Sequence, residues 1–228
     1  MRSIVKIIAF AVFFAFILLA CELRFGKKGI KEGKIIYGIE YMQEESENPL
    51  ISLMPSTLEM VFKDNTVKME VQGWMGVFKS SFIRHYPQEQ SITVFKMMNK
   101  KYYYKSVGGT DFMGMSSYPN MKIHFDDKEK KIIEFNCKHV SVEIPEKSLN
   151  FDVYYTNDIR IESPNSLTPF HEIPGVMMEF QIEIHGIPMR LLAKEIIDLD
   201  VQEDVFNVPE GYMEVTKDTV DELIKELI

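Results

Sequence analysis

From about residue 34 onward the chain alternates apolar and polar positions with a period of two, which is how a half-buried β-strand reads. Ile35, Tyr37, Ile39 and Tyr41 share one face. Leu58, Met60 and Phe62 do the same opposite Glu59 and Lys63. After an Asp64-Asn65 turn, Val67, Met69 and Val71 alternate with Lys68, Glu70 and Gln72, so the two runs predict a hairpin. Further strands are predicted over 75–85, 91–98 and 101–107, with Asn99-Lys100 turning between the last two. Met121, Ile123 and Phe125 alternate up to a polar turn at Asp126–Lys130. Strands at 132–144, 149–156, 177–184 and 189–198 follow, the last pair joined through His185-Gly186-Ile187-Pro188. The pattern gives about ten or eleven strands.

Helical periodicity is sparse. Val220, Leu223, Ile224 and Leu227 fall at i, i+3, i+4 and i+7, with Thr219 and Glu222 at capping-box spacing, which predicts a C-terminal amphipathic helix. Thr110 to Tyr118 reads as a short helix or a lid-like loop between strands. Many antiparallel strands without crossover helices make one large curved sheet, a sandwich or a barrel. No internal repeat, low-complexity tract or linker divides residues 34–228, which are expected to form a single domain.

The first twenty residues break the pattern. Arg2 and Lys6 give a cationic start, and Ile7 to Ala20 is an uncharged apolar run of signal-peptide length, short for a bilayer span of about twenty residues. The run ends in Leu18-Leu19-Ala20-Cys21, which looks like a bacterial lipobox. Residues 1–20 are therefore expected to be a lipoprotein signal peptide, and Cys21 the acylated membrane anchor. Residues 21–33, rich in Gly, Lys and Arg, read as a lipidated terminus and flexible tether able to rest on anionic headgroups. The glycines at 29 and 33 lack the spacing of a phosphate loop.

Composition narrows the function. With 26 basic and 34 acidic side chains the net charge is -8, which disfavours nucleic acid as a partner. Two cysteines cannot build a disulfide scaffold or a four-cysteine zinc site. With Cys21 acylated, Cys137 is the remaining thiol, and its place in an alternating strand marks an inert core residue. The five histidines are dispersed, although His124 near Asp126 and Asp127, or Glu183 beside His185, offer sparse metal donors. Ser80-Ser81 and Ser116-Ser117 lie outside any GxSxG elbow. No metal, cofactor or catalytic residue is assigned.

Four short segments carry a resemblance: Ile132-Ile133-Glu134-Phe135-Asn136-Cys137-Lys138, Val153-Tyr154-Tyr155-Thr156-Asn157-Asp158-Ile159, Ile173-Pro174-Gly175-Val176-Met177-Met178-Glu179 and Phe206-Asn207-Val208-Pro209-Glu210-Gly211-Tyr212. In this order they resemble the GLPGLI-type envelope lipoproteins of Bacteroidetes and, more remotely, the half-barrel lipoprotein-localisation factors LolA and LolB. The resemblance implies a mainly β fold: a LolA-like half-barrel, meaning a large curved antiparallel sheet wrapped over a short central helix or plug, with an apolar cavity and no catalytic residues. Pro174-Gly175 and Pro209-Glu210-Gly211 also read plainly as turn chemistry.

The remaining signal is an apolar surplus with 15 methionines. Trp74, Phe78, Phe82, Phe95, Met97 and Tyr103, with Phe112, Met113, Met115, Phe125, Met178 and Phe180, are the candidate lining of a hydrophobic cavity. The same residues also read as ordinary sheet core, in which aromatics fit the pleat. Adaptable thioethers favour a cavity for a lipid or other greasy ligand. The expectation is a lipid-anchored envelope protein, periplasmic or on the outer membrane, binding a hydrophobic ligand or lipidated partner without catalysis. The alternative is a structural lipoprotein with a filled core that docks an envelope protein.

Overall fold

A computed structural model describes residues 29–44, 46, 48–73, 76–86, 90–107 and 114–225. The signal segment, Cys21 and the tether up to residue 28 lie outside the described residues, as do Trp74, Phe112, Met113 and Leu227. Among the described residues, twelve strands form one curved, unclosed sheet. They are β1 (Glu32–Tyr41), β2 (Thr57–Lys63), β3 (Thr66–Gly73), β4 (Phe78–His85), β5 (Gln90–Met97) and β6 (Lys100–Val107), then β7 (Lys122–Ile132), β8 (Phe135–Ile144), β9 (Leu149–Thr156), β10 (Val176–Ile184), β11 (Ile187–Ile197) and β12 (Met213–Glu214). A helix, α1 (Lys217–Lys225), follows.

The order is β12-β6-β5-β4-β3-β2-β1-β11-β10-β9-β8-β7. Two antiparallel meanders, β1–β6 and β7–β11, are joined where β1 pairs with β11. Only the two-residue β12 is parallel to its neighbour, β6. The mainly β, half-barrel-like architecture expected from the sequence is present, with one C-terminal helix.

Connectivity requires the curvature. The chain leaves β6 at Val107, and Met115 already bridges Ile184 at the end of β10. In a flat sheet, β6 and β10 would stand at least seven inter-strand steps apart, ~34 Å. The chain from Val107 to Met115 reaches at most ~29 Å when fully extended. The sheet has to bring the two strands closer by bending.

Each face of the bent sheet is covered differently. Ser80 opposes Phe95 and Val71, and Val71 opposes Leu58, so these side chains share the inward face. The segment 157–175 crosses this face as a plug and buries Ile159, Ile161, Phe170 and Ile173. Asn165 donates from Nδ2 to the carbonyls of Ile173 (2.8 Å) and Gly175 (2.9 Å), and the Tyr86 hydroxyl donates to the Pro164 carbonyl at 2.8 Å. After β11 the chain crosses the outward face, where Val201 and Phe206 bury against Ile83 and Val94. It then adds β12 to the β6 edge and lays α1 on the inward face, with Val220 against Phe95 and Tyr104.

Two expectations need correction. The polar run Asp126–Lys130 is no turn: β7 continues through it, with a bulge between Phe125 and Glu129, and the chain reverses at Ile133 (φ 56°) and Glu134. β7 is an edge strand, where charge and a bulge protect an unpaired ladder. The domain also engages before residue 34, within the expected tether. Ile30 is buried, its N–H and that of Gly29 donate to the Asp158 carbonyl, and β1 starts at Glu32. Of the segment expected as a short helix or a lid-like loop, residues 114–118 form no helix, which leaves the loop alternative for them, and the plug is formed by 157–175.

Candidate functional site

Between the plug and α1 the inward face retains a cavity of about 140 Å³. Its floor is Ile39, Leu58, Val71 and Phe78, contributed by four consecutive strands. The β10–β11 hairpin supplies Ile184, Ile187 and Met189 from one side, and α1 supplies Ile224 from the other. Met54 and Pro55, in the β1–β2 connection, sit beside Tyr41. The Tyr41 hydroxyl donates to the Pro55 carbonyl at 2.7 Å, fixing this wall, and burial pushes its phenol up to about 12. Apart from Tyr41, Ser80 and His185, the described lining side chains are hydrocarbon or thioether.

The hairpin wall is braced from outside. His185 (φ 48°) and Gly186 (φ 79°) form a tight turn with both residues left-handed, the geometry that matches strand twist. The His185 N–H donates to Gly114 O (3.0 Å), and the Ser116 N–H donates to Glu183 O (2.9 Å). Ser116 Oγ donates to Glu183 Oε1 at 2.6 Å, and Lys147 Nζ reaches Oε2 at 2.7 Å. Burial raises the Glu183 pKa, but these two partners outweigh it and hold the carboxyl below its ordinary range.

A second cavity of about 40 Å³ lies deeper along the strands. Tyr37, Met60, Met69 and Leu191 form its floor, Met115 and Met177 its side, and Ile161 and Pro164 of the plug its roof. Leu58 and Ile184 line both cavities.

The expected apolar set is divided by the fold. Phe78 lines the larger cavity, while Met115 and Phe180 line the smaller. Phe95 and Met97 pack with α1, and Phe82 and Met178 are buried in the main core. Tyr103 alternates with Tyr102 and Tyr104 and so lies on the outward face, donating its hydroxyl to Glu214 at 2.8 Å. Phe125 is on the β7 edge, 51% exposed, with its ring against Tyr155. Phe82, Phe95, Met97, Met178, Tyr103 and Phe125 were all expected in the cavity and line neither one, the last two because aromatic content marks a strand but not which face turns inward. Among the aliphatic lining residues of the larger cavity that were missed are Ile39, Leu58, Val71, Ile184, Ile187 and Ile224, from the first three strands, the β10–β11 hairpin and the helix. Their alternation was legible, whereas their convergence depends on strand order.

A separate polar group sits across β7, β8 and β9. His139 is buried, with Nδ1 2.8 Å from Asp126 Oδ1 and Nε2 2.9 Å from Asp152 Oδ1. Among the described residues no group of three His, Cys, Asp or Glu side chains is arranged to hold a metal. Cys137 is fully buried, and burial pushes its thiol up to about 11. Among the described residues, no helix is long and apolar enough to cross a membrane.

No family model matches the chain, and no curated protein matches it. Among solved structures the fold is similar to that of PNGF-II in its P21 crystal form, with a TM-score of 0.52 and 11% identity over 86% of this chain. The C2 form of PNGF-II gives a TM-score of 0.49, also at 11% identity over 86% of the chain. This chain spans about a third of PNGF-II, 34% and 33% of its length in the two forms. At that identity the likeness is one of fold: a mainly β, curved and unclosed sheet.

Proposed function

We propose that this protein is a lipid-anchored envelope protein that holds a hydrophobic ligand, or the acyl group of a lipidated partner, without catalysing a reaction. The observation that carries the reading is the cavity of about 140 Å³ on the inward face, walled mainly by apolar side chains from β1 to β4, the β10–β11 hairpin and α1. A dry apolar cavity of about 150 Å³ is enough to bind a benzene-sized group. Burying one methylene there is worth about 0.8 kcal/mol, so even part of an acyl chain gains affinity. Acylated Cys21 supplies membrane attachment, since several chains on one residue hold durably.

The experiment is native mass spectrometry of residues 22–228 after gentle purification, with fluorescent fatty-acid probes in parallel. Co-purified lipid or saturable probe binding supports the reading, and neither being found overturns it. Attachment is tested separately: Cys21→Ala abolishes labelling by a fatty-acid analogue, and retained labelling contradicts the anchor.

A second reading is favoured by the plug. Residues 157–175 fill much of the inward face with Phe170, Ile161 and Ile173, as a structural lipoprotein with a filled core would require. Under that reading an envelope protein docks on the outer surface and no apolar probe enters the domain.

A further inference from the structure

We infer that the two cavities are compartments of one trough, that Leu58 and Ile184 are the gate between them, and that the trough accepts an unbranched apolar chain threaded lengthwise. The inference rests on the ligand-binding reading above and deepens it. Three observations carry it.

The first is alignment. Every strand that contributes to both cavities places them in the same sequence along its length. On β1 the larger cavity touches Tyr41 and Ile39, and the smaller Tyr37. On β11 the order is Ile187 and Met189, then Leu191, and on β3 it is Val71, then Met69 and Val67. On β10 the walls run from Ile184 to Val176, a length of ~27 Å at strand rise. The compartments are stacked end to end along the strands, a shape that suits a linear chain and excludes a wide fused-ring ligand.

The second is the shared wall. Leu58 of β2 and Ile184 of β10 are the residues common to both linings. Both are aliphatic, and Ile184 is only partly buried, so rotamer change opens the passage without exposing a polar group.

The third is the thioether content. Six methionines line the trough: Met54 and Met189 in the larger compartment, Met60, Met69, Met115 and Met177 in the smaller. The smaller compartment, at about 40 Å³, holds a chain terminus only if its walls yield. Unbranched thioether side chains with several rotatable bonds yield at low cost. The methionine excess of the sequence is thereby given a place and a task.

The test is photo-crosslinking of the full chain in lipid nanodiscs, using octanoyl and palmitoyl probes with a diazirine at the chain terminus and mapping adducts by peptide mass. The octanoyl probe should label the larger compartment, around Met54, Phe78 and Met189. The palmitoyl terminus should label Met115, Met177 and Met69. Ile184→Phe narrows the gate and, although Ile184 also lines the larger compartment, should lower the ratio of palmitoyl labelling in the smaller compartment to octanoyl labelling in the larger about tenfold, the effect of an overpacked wall. If both probes label the larger compartment alone, or if Ile184→Phe affects them equally, the gate is wrong and the ligand reading stands. If neither probe labels either compartment saturably, the ligand reading itself fails. The length series in the unmutated protein decides the matter even where the variant folds poorly.

Discussion

The hydroxyl of Tyr37 on β1 donates to the backbone carbonyl of Met177 on β10 at 3.0 Å, although 140 positions separate them in sequence. The Tyr37 ring also meets Phe180 edge-on at 5.9 Å. The bond crosses the junction of the two meanders beneath the smaller cavity, and burial pushes the Tyr37 phenol far above its ordinary range. Tyr37→Phe leaves the Met177 carbonyl buried without that donor, at a cost of about 1–2 kcal/mol. Thermal unfolding should move down by about 2–6 °C, with the sheet signal in circular dichroism unchanged. An unchanged midpoint would mean that the junction does not depend on this contact.

Acid should weaken the fold through carboxylates whose partners hold them ionised. At Asp126 desolvation opposes ionisation, but the hydrogen bond to His139 and the Lys128 contacts outweigh it, bringing the pKa down from 3.8 to about 2. Glu179 is buried between Lys130 and Arg190, which also outweigh desolvation and lower its pKa. A lowered folded-state pKa means stability that is complete above the unfolded-state value and lost as pH falls through the folded one. Urea midpoints should therefore be flat near neutrality and fall from about pH 4 toward about pH 2. Glu179→Gln should cost about 2 kcal/mol at neutral pH, reduced from a fully buried pair because water reaches Lys130 and Arg190. Asp126→Asn should flatten the acid slope. A slope identical to the parent's would remove Asp126 from the account.

Cys137 should behave as core. Its thiol is inaccessible and its pKa is pushed up to about 11 by burial, so thiolate is scarce at pH 8. Maleimide labelling mapped to the Cys137 peptide should be negligible in the native protein and complete in denaturant. Rapid native labelling would show that β8 opens locally.

Gly114 braces the hairpin wall of the larger cavity. It has φ +72°, and a methyl group there would overlap the His185 ring. Gly211 has a similar φ of +81° with open space around its Cβ position. Gly211→Ala therefore reports conformational strain alone, about 1 kcal/mol. Gly114→Ala should cost more, about 2–3 kcal/mol, and should weaken binding of an apolar probe because His185 has to move. Equal losses at the two sites would mean that the His185 contact carries no weight.

Strand faces and most strand positions were legible in the sequence because alternation is a local property. Leu58, Met60 and Phe62 are inward-facing and paired with Val71, Met69 and Val67, as the pattern predicted. Strand order was not legible. Nothing local says that β11 rather than β6 flanks β1, or that Ile224 of the helix comes to face Ile184. Asp126–Lys130 misled because a charged edge strand and a turn have the same composition. Ile30 was missed because one apolar residue in a Gly- and Lys-rich stretch carries no period. The cavity was expected from aromatic and methionine content, yet its walls are mainly aliphatic. Its position is a consequence of sheet curvature and of the plug and helix leaving a gap between them.

The most direct test of the central claim is equilibrium titration with a fluorescent polyene fatty acid, comparing the parent protein with Ser80→Phe, which places a ring into the larger cavity from β4. Saturable binding, displacement by unlabelled fatty acid and an affinity about tenfold weaker in the filled variant are expected. Absence of saturable binding, or an equal affinity in Ser80→Phe with the fold intact, would contradict the claim.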